Sequence, residues 1–149
     1  MINEWELVTK WMHSKTEVTD NLTVRRVAEI MVDNNIGSVI VSSNKGELGM
    51  LTERDIMSKV VANGLDSNKI LAKDITTRPL LTMEEDNTIW DACDFMAKYN
   101  IRRLPVTNKT GEIIGVLTTR SISNALPVIS RFRETEEIFS AFKKMKHEE

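Results

Sequence analysis

The sequence contains a single cysteine, Cys93, and two widely separated histidines, His13 and His147. One cysteine excludes an intramolecular disulfide and any cysteine-rich metal site, and the histidine spacing is not that of paired metal ligands. The chain also has no nucleophile with a matching base and no P-loop lysine motif. We therefore predict no metal, no cofactor and no enzymatic activity.

An excess of charge of one sign and long apolar runs are missing as well. The 20 basic and 22 acidic residues leave a net charge of -2, which does not favour a nucleic-acid partner or a membrane surface. There is no charged-then-apolar leader and no apolar run near the roughly 18 residues that suggest a membrane span. We expect a cytoplasmic protein, and 149 residues suffice for one compact globular unit.

What the sequence does contain is an internal repeat. Thr23, Met31 and Asn35-Ile36 recur with the same spacing as Thr88, Met96 and Asn100-Ile101, and the string from Gly49 to Ile56 recurs from Gly115 to Ile122. Two copies of one supersecondary unit must each bury an apolar face, most simply against each other. A cleft between two similar halves is therefore the first place to look for function.

Each copy has the pattern of a β-α-β-β-α unit. Thr23 and Thr88 are expected to cap helices with apolar stripes, and the strands that follow are expected to form hairpins. The second hairpin is one residue longer than the first. Each unit begins with a short extended segment, near residues 16–18 and 80–82. Cys93 occupies the position of Ala28 in the first copy, so we expect it to be a small core residue.

The predicted domains are residues 8–65 and 70–126, joined by the turn-rich segment 63–68, with a helical extension at 127–149. Pro127 is expected to interrupt the chain before this last helix. Glu134, Glu136 and Glu137 would then lie at the start of the helix and Lys143, Lys144 and Lys146 at its end, as a helix dipole favours. Its stripe of Ile138, Phe139, Phe142 and Met145 either packs on its own domain or serves self-association or partner docking. Trp90 is open to the same two interpretations.

The string from Gly49 to Asp55 leads from a strand directly into a helix. A helix start welcomes an anionic group such as a phosphate, Thr52 adds a hydroxyl, and Asp55 offers two acceptor oxygens for a ribose diol. The alternative is a capping box, in which Thr52 and Asp55 satisfy each other's backbone N–H groups. On this heptapeptide alone the cap is favoured; its occurrence in a duplicated frame raises the weight of ligand binding.

The ordered set of motifs, with Asn35-Ile-Gly-Ser-Val-Ile-Val41 and Asn100-Ile-Arg-Arg-Leu-Pro-Val106, resembles the tandem cystathionine-β-synthase (CBS) domain pair, or Bateman module. The resemblance covers about residues 8 to 122. It implies an α/β (α+β) fold of two CBS motifs related by a pseudo-twofold axis. It also implies a regulatory module that binds AMP, ADP, ATP or an S-adenosyl compound between the motifs, usually as a homodimer.

The resemblance also carries site residues onto this chain. Asp55 falls at the ribose aspartate, Thr52 at the phosphate-side hydroxyl, and Arg102 and Arg103 at positions that meet phosphates in similar proteins, although paired arginines are also commonly solvated. The full set of implied ligand-binding residues is Thr16, Val18, Ile36, Gly37, Ser38, Val39, Thr52, Arg54, Asp55, Arg102, Arg103, Leu104, Pro105, Thr118 and Ser121.

The sequence departs from the family pattern at Ser121, which stands where the second copy should have its aspartate. A serine has one acceptor oxygen and no charge, so it does not reproduce a bidentate grip on a ribose diol. The hypothesis is one good site per chain, around Asp55, and a weak, empty or altered second site.

The leading functional prediction is a regulatory sensor of an adenosine-containing ligand that signals to a separate effector protein or through its own assembly as a homodimer. The alternative is a ligand-free dimerisation or interaction module.

Overall fold

A computed structural model describes the backbone of residues 2–147 and the side chains of residues 2–137. The chain divides into two compact units. The first unit is Ser14–Leu81, and the second unit consists of the described residues before Ser14 and after Leu81. Each unit contains one copy of the repeat and a separate hydrophobic core.

The first unit has the predicted β-α-β-β-α order with one addition. Parallel pairing joins β1 to β2 and antiparallel pairing joins β2 to β3, giving the sheet order β1-β2-β3. The elements are β1 Glu17–Thr19, α1 Val24–Asp33, β2 Ser38–Ser42, β3 Leu48–Thr52, α2 Glu53–Asp55 with a π-helical continuation Ile56–Val61, and a short α3 Ala72–Ile75. The addition is α3, which the sequence analysis missed because four residues show no helical period.

The second unit repeats this topology with the sheet order β4-β5-β6. Two 3₁₀ turns, Glu4–Glu6 and Val8–Lys10, precede the repeat in this unit. Its elements are β4 Met83–Glu84, α4 Ile89–Tyr99, β5 Arg103–Thr107, β6 Ile113–Thr118 and α5 Thr119–His147. The extended segment expected near residues 80–82 thus forms its strand slightly later, at Met83 and Glu84.

The repeated Asn-Ile dipeptides end the first helix of each copy. Asn35 and Asn100 adopt left-handed backbone conformations, with φ of 52° and 51°, which asparagine tolerates better than most residues. The amide of Ile36 then donates to the Met31 carbonyl at 3.0 Å, and the amide of Ile101 donates to the Met96 carbonyl at 3.0 Å. This is the hydrogen bond of a Schellman C-cap, with the following isoleucine packed against the core.

The extra residue of the second hairpin lies in a strand and not in the turn. Val106 pairs with Gly115 while Thr107 pairs with Ile113, so Ile114 is bulged out of the β5–β6 ladder. The bulge lets both hairpins keep turns of similar length while Gly115 stays in register with Gly49 of the first copy.

Pro127 does not interrupt the last helix, so that expectation is wrong. Helix α5 runs without a break through Pro127, an exposed residue. Proline removes one donor from the helix ladder, to the carbonyl of Ser123, and the fold tolerates this loss. Because the helix begins at Thr119, Glu134, Glu136 and Glu137 lie in its interior, and the dipole explanation for them no longer applies.

Candidate functional site

Thr52 and Asp55 form a reciprocal capping box at the end of β3. The Thr52 amide donates to Asp55 Oδ2 at 2.9 Å, and the Asp55 amide donates to Thr52 Oγ1 at 3.3 Å. The Thr52 hydroxyl also donates to Asp55 Oδ2 at 3.0 Å. The interpretation favoured for the heptapeptide alone is therefore confirmed: these residues cap a helix.

The second carboxylate oxygen of Asp55 has a different partner. Lys59 Nζ lies 3.1 Å from Oδ1 and also donates to the Ile75 carbonyl at 3.0 Å. A carboxylate oxygen accepts about two hydrogen bonds, so Oδ2 is saturated by Thr52 while Oδ1 has capacity left. A ligand hydroxyl would reach Asp55 at Oδ1, where Lys59 is its competitor.

The same box occurs at the start of α4. The Thr88 amide donates to Asp91 Oδ2 at 2.8 Å, and the Asp91 amide donates to Thr88 Oγ1 at 3.2 Å. No sequence argument assigns a ligand to this position. The box geometry alone therefore does not distinguish a binding site from a cap, and Asp91 is a matched internal control for Asp55.

In the second copy, Ser121 keeps the box without its charge. The Thr118 amide donates to Ser121 Oγ at 3.3 Å, and the Ser121 amide donates to Thr118 Oγ1 at 3.2 Å. Ser121 is only 3% exposed, and its Oγ lies 3.5 Å from His13 Nε2. His13, to which the sequence analysis gave no role, is the residue it missed here, because 108 positions separate the two residues and no local pattern links them.

The glycines of the two Gly-x-x-Thr signatures accommodate the chain itself. A Cβ on Gly49 would lie 2.5 Å from Thr76 Cγ2 and 2.7 Å from the Thr77 carbonyl oxygen. A Cβ on Gly115 would lie 2.6 Å from Met12 Sδ and 2.9 Å from the His13 carbonyl oxygen. The close approach to the Gly49 backbone is thus made by a neighbouring segment of this protein, within the same unit.

Strand pairing brings the other predicted residues next to these boxes. Ser38 pairs with Thr52, and the Gly37 carbonyl accepts from the Glu53 amide at 3.0 Å. In the second unit Arg103 pairs with Thr118, and the Arg102 carbonyl accepts from the Thr119 amide at 3.0 Å. The Thr52–Asp55 and Thr118–Ser121 boxes therefore each lie beside a stretch that the resemblance assigns to ligand binding.

The remaining predicted residues differ in exposure. Val18, Val39 and Leu104 are buried in the hydrophobic cores, and Ile36 packs against one of them. Pro105 is buried, Thr16 is half-buried, and Arg54 is exposed. Val18, Val39 and Leu104 thus contribute mainly packing, which leaves the polar groups near the two boxes as the candidates for ligand contact.

Three further features of the part of the chain that the structure describes bear on function. In it, no group of three or more His, Cys, Asp or Glu side chains is placed to hold a metal ion. Among the described helices, none is both long and apolar enough to cross a membrane. Cys93 packs against the core of the second unit, and burial, with the nearby charge of Asp94, raises the pKa of its thiol, as fits a structural residue.

Comparison with known proteins supplies a family. The model of the CBS domain matches residues 8–62 and 72–128. An uncharacterised protein of Methanopyrus kandleri is 36% identical over 115 residues, which cover 76% of this chain and 59% of that protein. The chain spans about 60% of the length of the curated relatives it matches first.

Two solved structures illustrate the fold. A conserved protein from Pyrococcus horikoshii superimposes with a TM-score of 0.74 at 23% identity, covering 83% of this chain and 94% of that one; this supports the fold alone. A CBS domain protein from Pyrobaculum aerophilum, crystallised in complex with AMP, superimposes with a TM-score of 0.69 at 27% identity, covering 77% of this chain and 88% of that one.

Proposed function

The chain belongs to the CBS-domain family, and on that premise we propose that it binds an adenosine-containing nucleotide at Asp55 and passes this signal to a partner. The predicted family and fold class are confirmed by the two matched CBS motifs. A regulatory, nucleotide-binding role in general is supported by the relative crystallised with AMP. The identity of the ligand, among AMP, ADP, ATP and S-adenosyl compounds, is part of the proposal, and no catalytic step is assigned.

The observation that carries the proposal is the state of Asp55. Its side chain is 16% exposed, and among the described side chains Oδ1 has one partner, the 44% exposed side chain of Lys59. A half-buried carboxylate with a spare acceptor, whose neighbouring cation is itself largely exposed, is suited to take a hydroxyl of a ribose diol. Ser38 and Gly37, which flank Thr52 across the sheet, would then contact the rest of the ligand.

The partner is proposed to be a separate effector or a second copy of this chain. Ligand that binds one state of the protein better than another shifts the population towards that state, and this shift is the signal. A homodimer is part of this proposal.

One observation favours the alternative, a ligand-free interaction module. Thr52 and Asp55 are already satisfied by each other, as Thr88 and Asp91 are in α4. If capping is their whole role, the repeat is retained for assembly alone.

A thermal-shift series with AMP, ADP, ATP, S-adenosylmethionine, NAD and guanosine nucleotides separates the two functions. A ligand at about a hundredfold above its dissociation constant adds about 2.7 kcal/mol, so we expect the melting temperature to rise by about 5 °C or more for one adenosyl compound. In Asp55→Asn, affinity should fall about ten- to a hundredfold, because a charge-assisted contact is lost while the amide oxygen still caps the helix.

Asp91→Asn is the control, since it removes the same kind of charge from the equivalent box in α4. It should lower the starting melting temperature by weakening the cap, as Asp55→Asn does, and leave the ligand shift intact. Calorimetric titration should give one tight site per chain, and two in Ser121→Asp. No shift with any nucleotide would support the interaction module, whereas equal losses of the ligand shift in the Asp55 and Asp91 variants would contradict the assignment of the site to Asp55.

A further inference from the structure

Helix α5 extends well beyond the core of its own unit. Ile122, Ala125 and Ile129 are buried in that core, whereas every residue of α5 from Ser130 to Glu137 is exposed. The helix continues to His147, which adds about 15 Å at 1.5 Å per residue. A helical segment that extends beyond its core is stabilised mainly by packing an amphipathic face against another part of a protein.

The charges of this extension are separated along its length. Glu134, Glu136 and Glu137 are exposed and lie in the helix interior, and Lys143, Lys144 and Lys146 follow them in the sequence. Between the two groups lie Ile138, Phe139 and Phe142. The helix dipole explains the lysines near the C-terminus but not the acidic group, so the separation calls for another explanation.

Part of the acidic group borders a cavity of about 220 Å³ on the second unit, whose lining includes two aromatic side chains. Trp5 and Phe132 stack at 5.9 Å between ring centroids, with 12° between their planes, and both rings are partly exposed. Glu136 and Glu137 line the same cavity. We call these four residues the acidic-aromatic patch.

Cations already bind to aromatic rings in and beside this patch. Lys10 Nζ lies 5.3 Å from the Trp5 ring centroid, and the Arg133 guanidinium carbon lies 5.1 Å from that of Trp90. Arg133 also neutralises Glu6, the buried acid of the cavity, through two hydrogen bonds. Among the described side chains, Glu136 and Glu137 form no ion pair, so the patch carries negative charge that a basic partner would complement.

We propose that the patch binds the basic C-terminal end of α5 from a second copy of this chain, in an antiparallel pairing of the two α5 helices. The antiparallel orientation places Lys143, Lys144 and Lys146 of the partner subunit beside Glu134, Glu136 and Glu137, and the twofold axis repeats this contact. A parallel orientation would place like charges side by side, which is unfavourable.

This inference specifies the surface of the homodimer named in the proposed function, and it does not rest on nucleotide binding. The patch and α5 extension lie apart in sequence from the Thr52–Asp55 box. Loss of dimerisation with an intact nucleotide shift, or the reverse, therefore identifies which proposal has failed.

The test is analytical ultracentrifugation of the full chain and two charge-reversal variants. The first variant replaces the three lysines with glutamates: Lys143→Glu, Lys144→Glu and Lys146→Glu. The second variant replaces the three glutamates with lysines: Glu134→Lys, Glu136→Lys and Glu137→Lys. Each variant should dimerise about a hundredfold more weakly than the natural chain, on the scale of several exposed ion pairs lost and replaced by repulsion. An equimolar mixture of the two should form a heterodimer, because the opposite charges again face each other.

The mixture also serves as the folding control, since a variant that failed to fold would not be rescued by its counterpart. Reversal of two exposed lysines in the hairpin turns, Lys45→Glu with Lys109→Glu, changes the net charge in the same direction as the three-lysine variant, at two positions instead of three, and should leave the dimer unchanged. A natural chain that is monomeric at about 100 µM, reversed variants that dimerise as well as the natural chain, or a mixture that stays monomeric would overturn the proposal.

Discussion

Glu6 is a buried acid whose charge the fold has to satisfy. Burial alone would raise the pKa of its carboxyl group, but hydrogen bonds from Arg133 and from the Asn3 amide, with a further contact from Trp90, outweigh burial and lower that pKa below its ordinary value. Arg133 donates to Glu6 Oε1 from Nε at 2.8 Å and from Nη2 at 2.6 Å. The ion pair thus holds the N-terminal 3₁₀ turn against α5 within the second unit.

The lowered pKa gives the pair a definite pH dependence. A carboxyl group with a depressed pKa stabilises the folded state above its unfolded pKa of about 4.3 and loses that contribution as the pH falls through the folded value. We expect Glu6→Gln to lower the free energy of unfolding by about 1 kcal/mol at pH 7, a modest figure because Arg133 is largely exposed. Urea unfolding at pH 7 and near pH 3 should show the difference shrinking in acid. A difference that is the same at both pH values would contradict the assigned ion pair.

At the scale of elements, each hairpin gains an extra backbone partner at its outer strand. Met50 and Thr77 exchange hydrogen bonds at 3.0 and 2.9 Å, and Val116 and His13 exchange them at 2.9 and 3.0 Å. The added segments pass so close to Gly49 and Gly115 that side chains there would clash. The glycines recur in the two copies because both copies accept this added segment.

Gly49→Ala tests this role. Its Cβ would meet both a side chain and the Thr77 backbone oxygen, which is unable to move aside without breaking the bridge to Met50. Overpacking of this kind costs about 1 to 3 kcal/mol, and we expect a loss of that size in the free energy of unfolding, measured by chemical denaturation. Gly46→Asn is the control, because Gly46 faces open space at φ +78°, a conformation that asparagine adopts. Equal stability of the Gly49 variant and the natural chain would show that the segment is not held there.

At the scale of the whole molecule, the two units are not the two halves of the sequence. The segment that precedes Ser14 belongs to the unit of the second copy. The stretch after the first copy, including Ala72 and Ile75, completes the core of the first unit. The boundaries predicted from the repeat, residues 8–65, 70–126 and 127–149, differ from this division and stay a prediction.

Fragments distinguish the two divisions of the chain. A fragment of residues 14–81 contains all of the first unit's core, whereas residues 8–65 lack Ala72 and Ile75. Domains of this size are marginally stable, so the loss of the buried side chains of Ala72 and Ile75 should prevent residues 8–65 from folding. We expect cooperative thermal unfolding by circular dichroism for residues 14–81 and none for residues 8–65. The reverse result would favour the boundaries taken from the repeat.

Much of the site was accessible from sequence because its signals are local. The capping residues Thr23, Thr52 and Thr88 act on amides three positions away, within the window that a spacing argument covers. The same window identified the stripe of α1 and the strands of each hairpin. Pro127 shows the limit of such signals, because core packing of Ala125 and Ile129 on either side keeps the helix continuous where propensity alone predicts a break. The predicted stripe of Ile138, Phe139, Phe142 and Met145 lies outside the described side chains.

The sequence by itself determined the duplication, the order of elements, the helix caps and the CBS family, since each depends on residue types at short, repeated spacings. Only the tertiary structure decided which distant segments complete each unit: His13 beside Ser121, Glu6 beneath Arg133, and the segments bridged to Met50 and Val116. These contacts are made largely by backbone groups or by single side chains far apart along the chain. A backbone hydrogen bond requires no particular residue type, so the sequence carries no periodic signal for it.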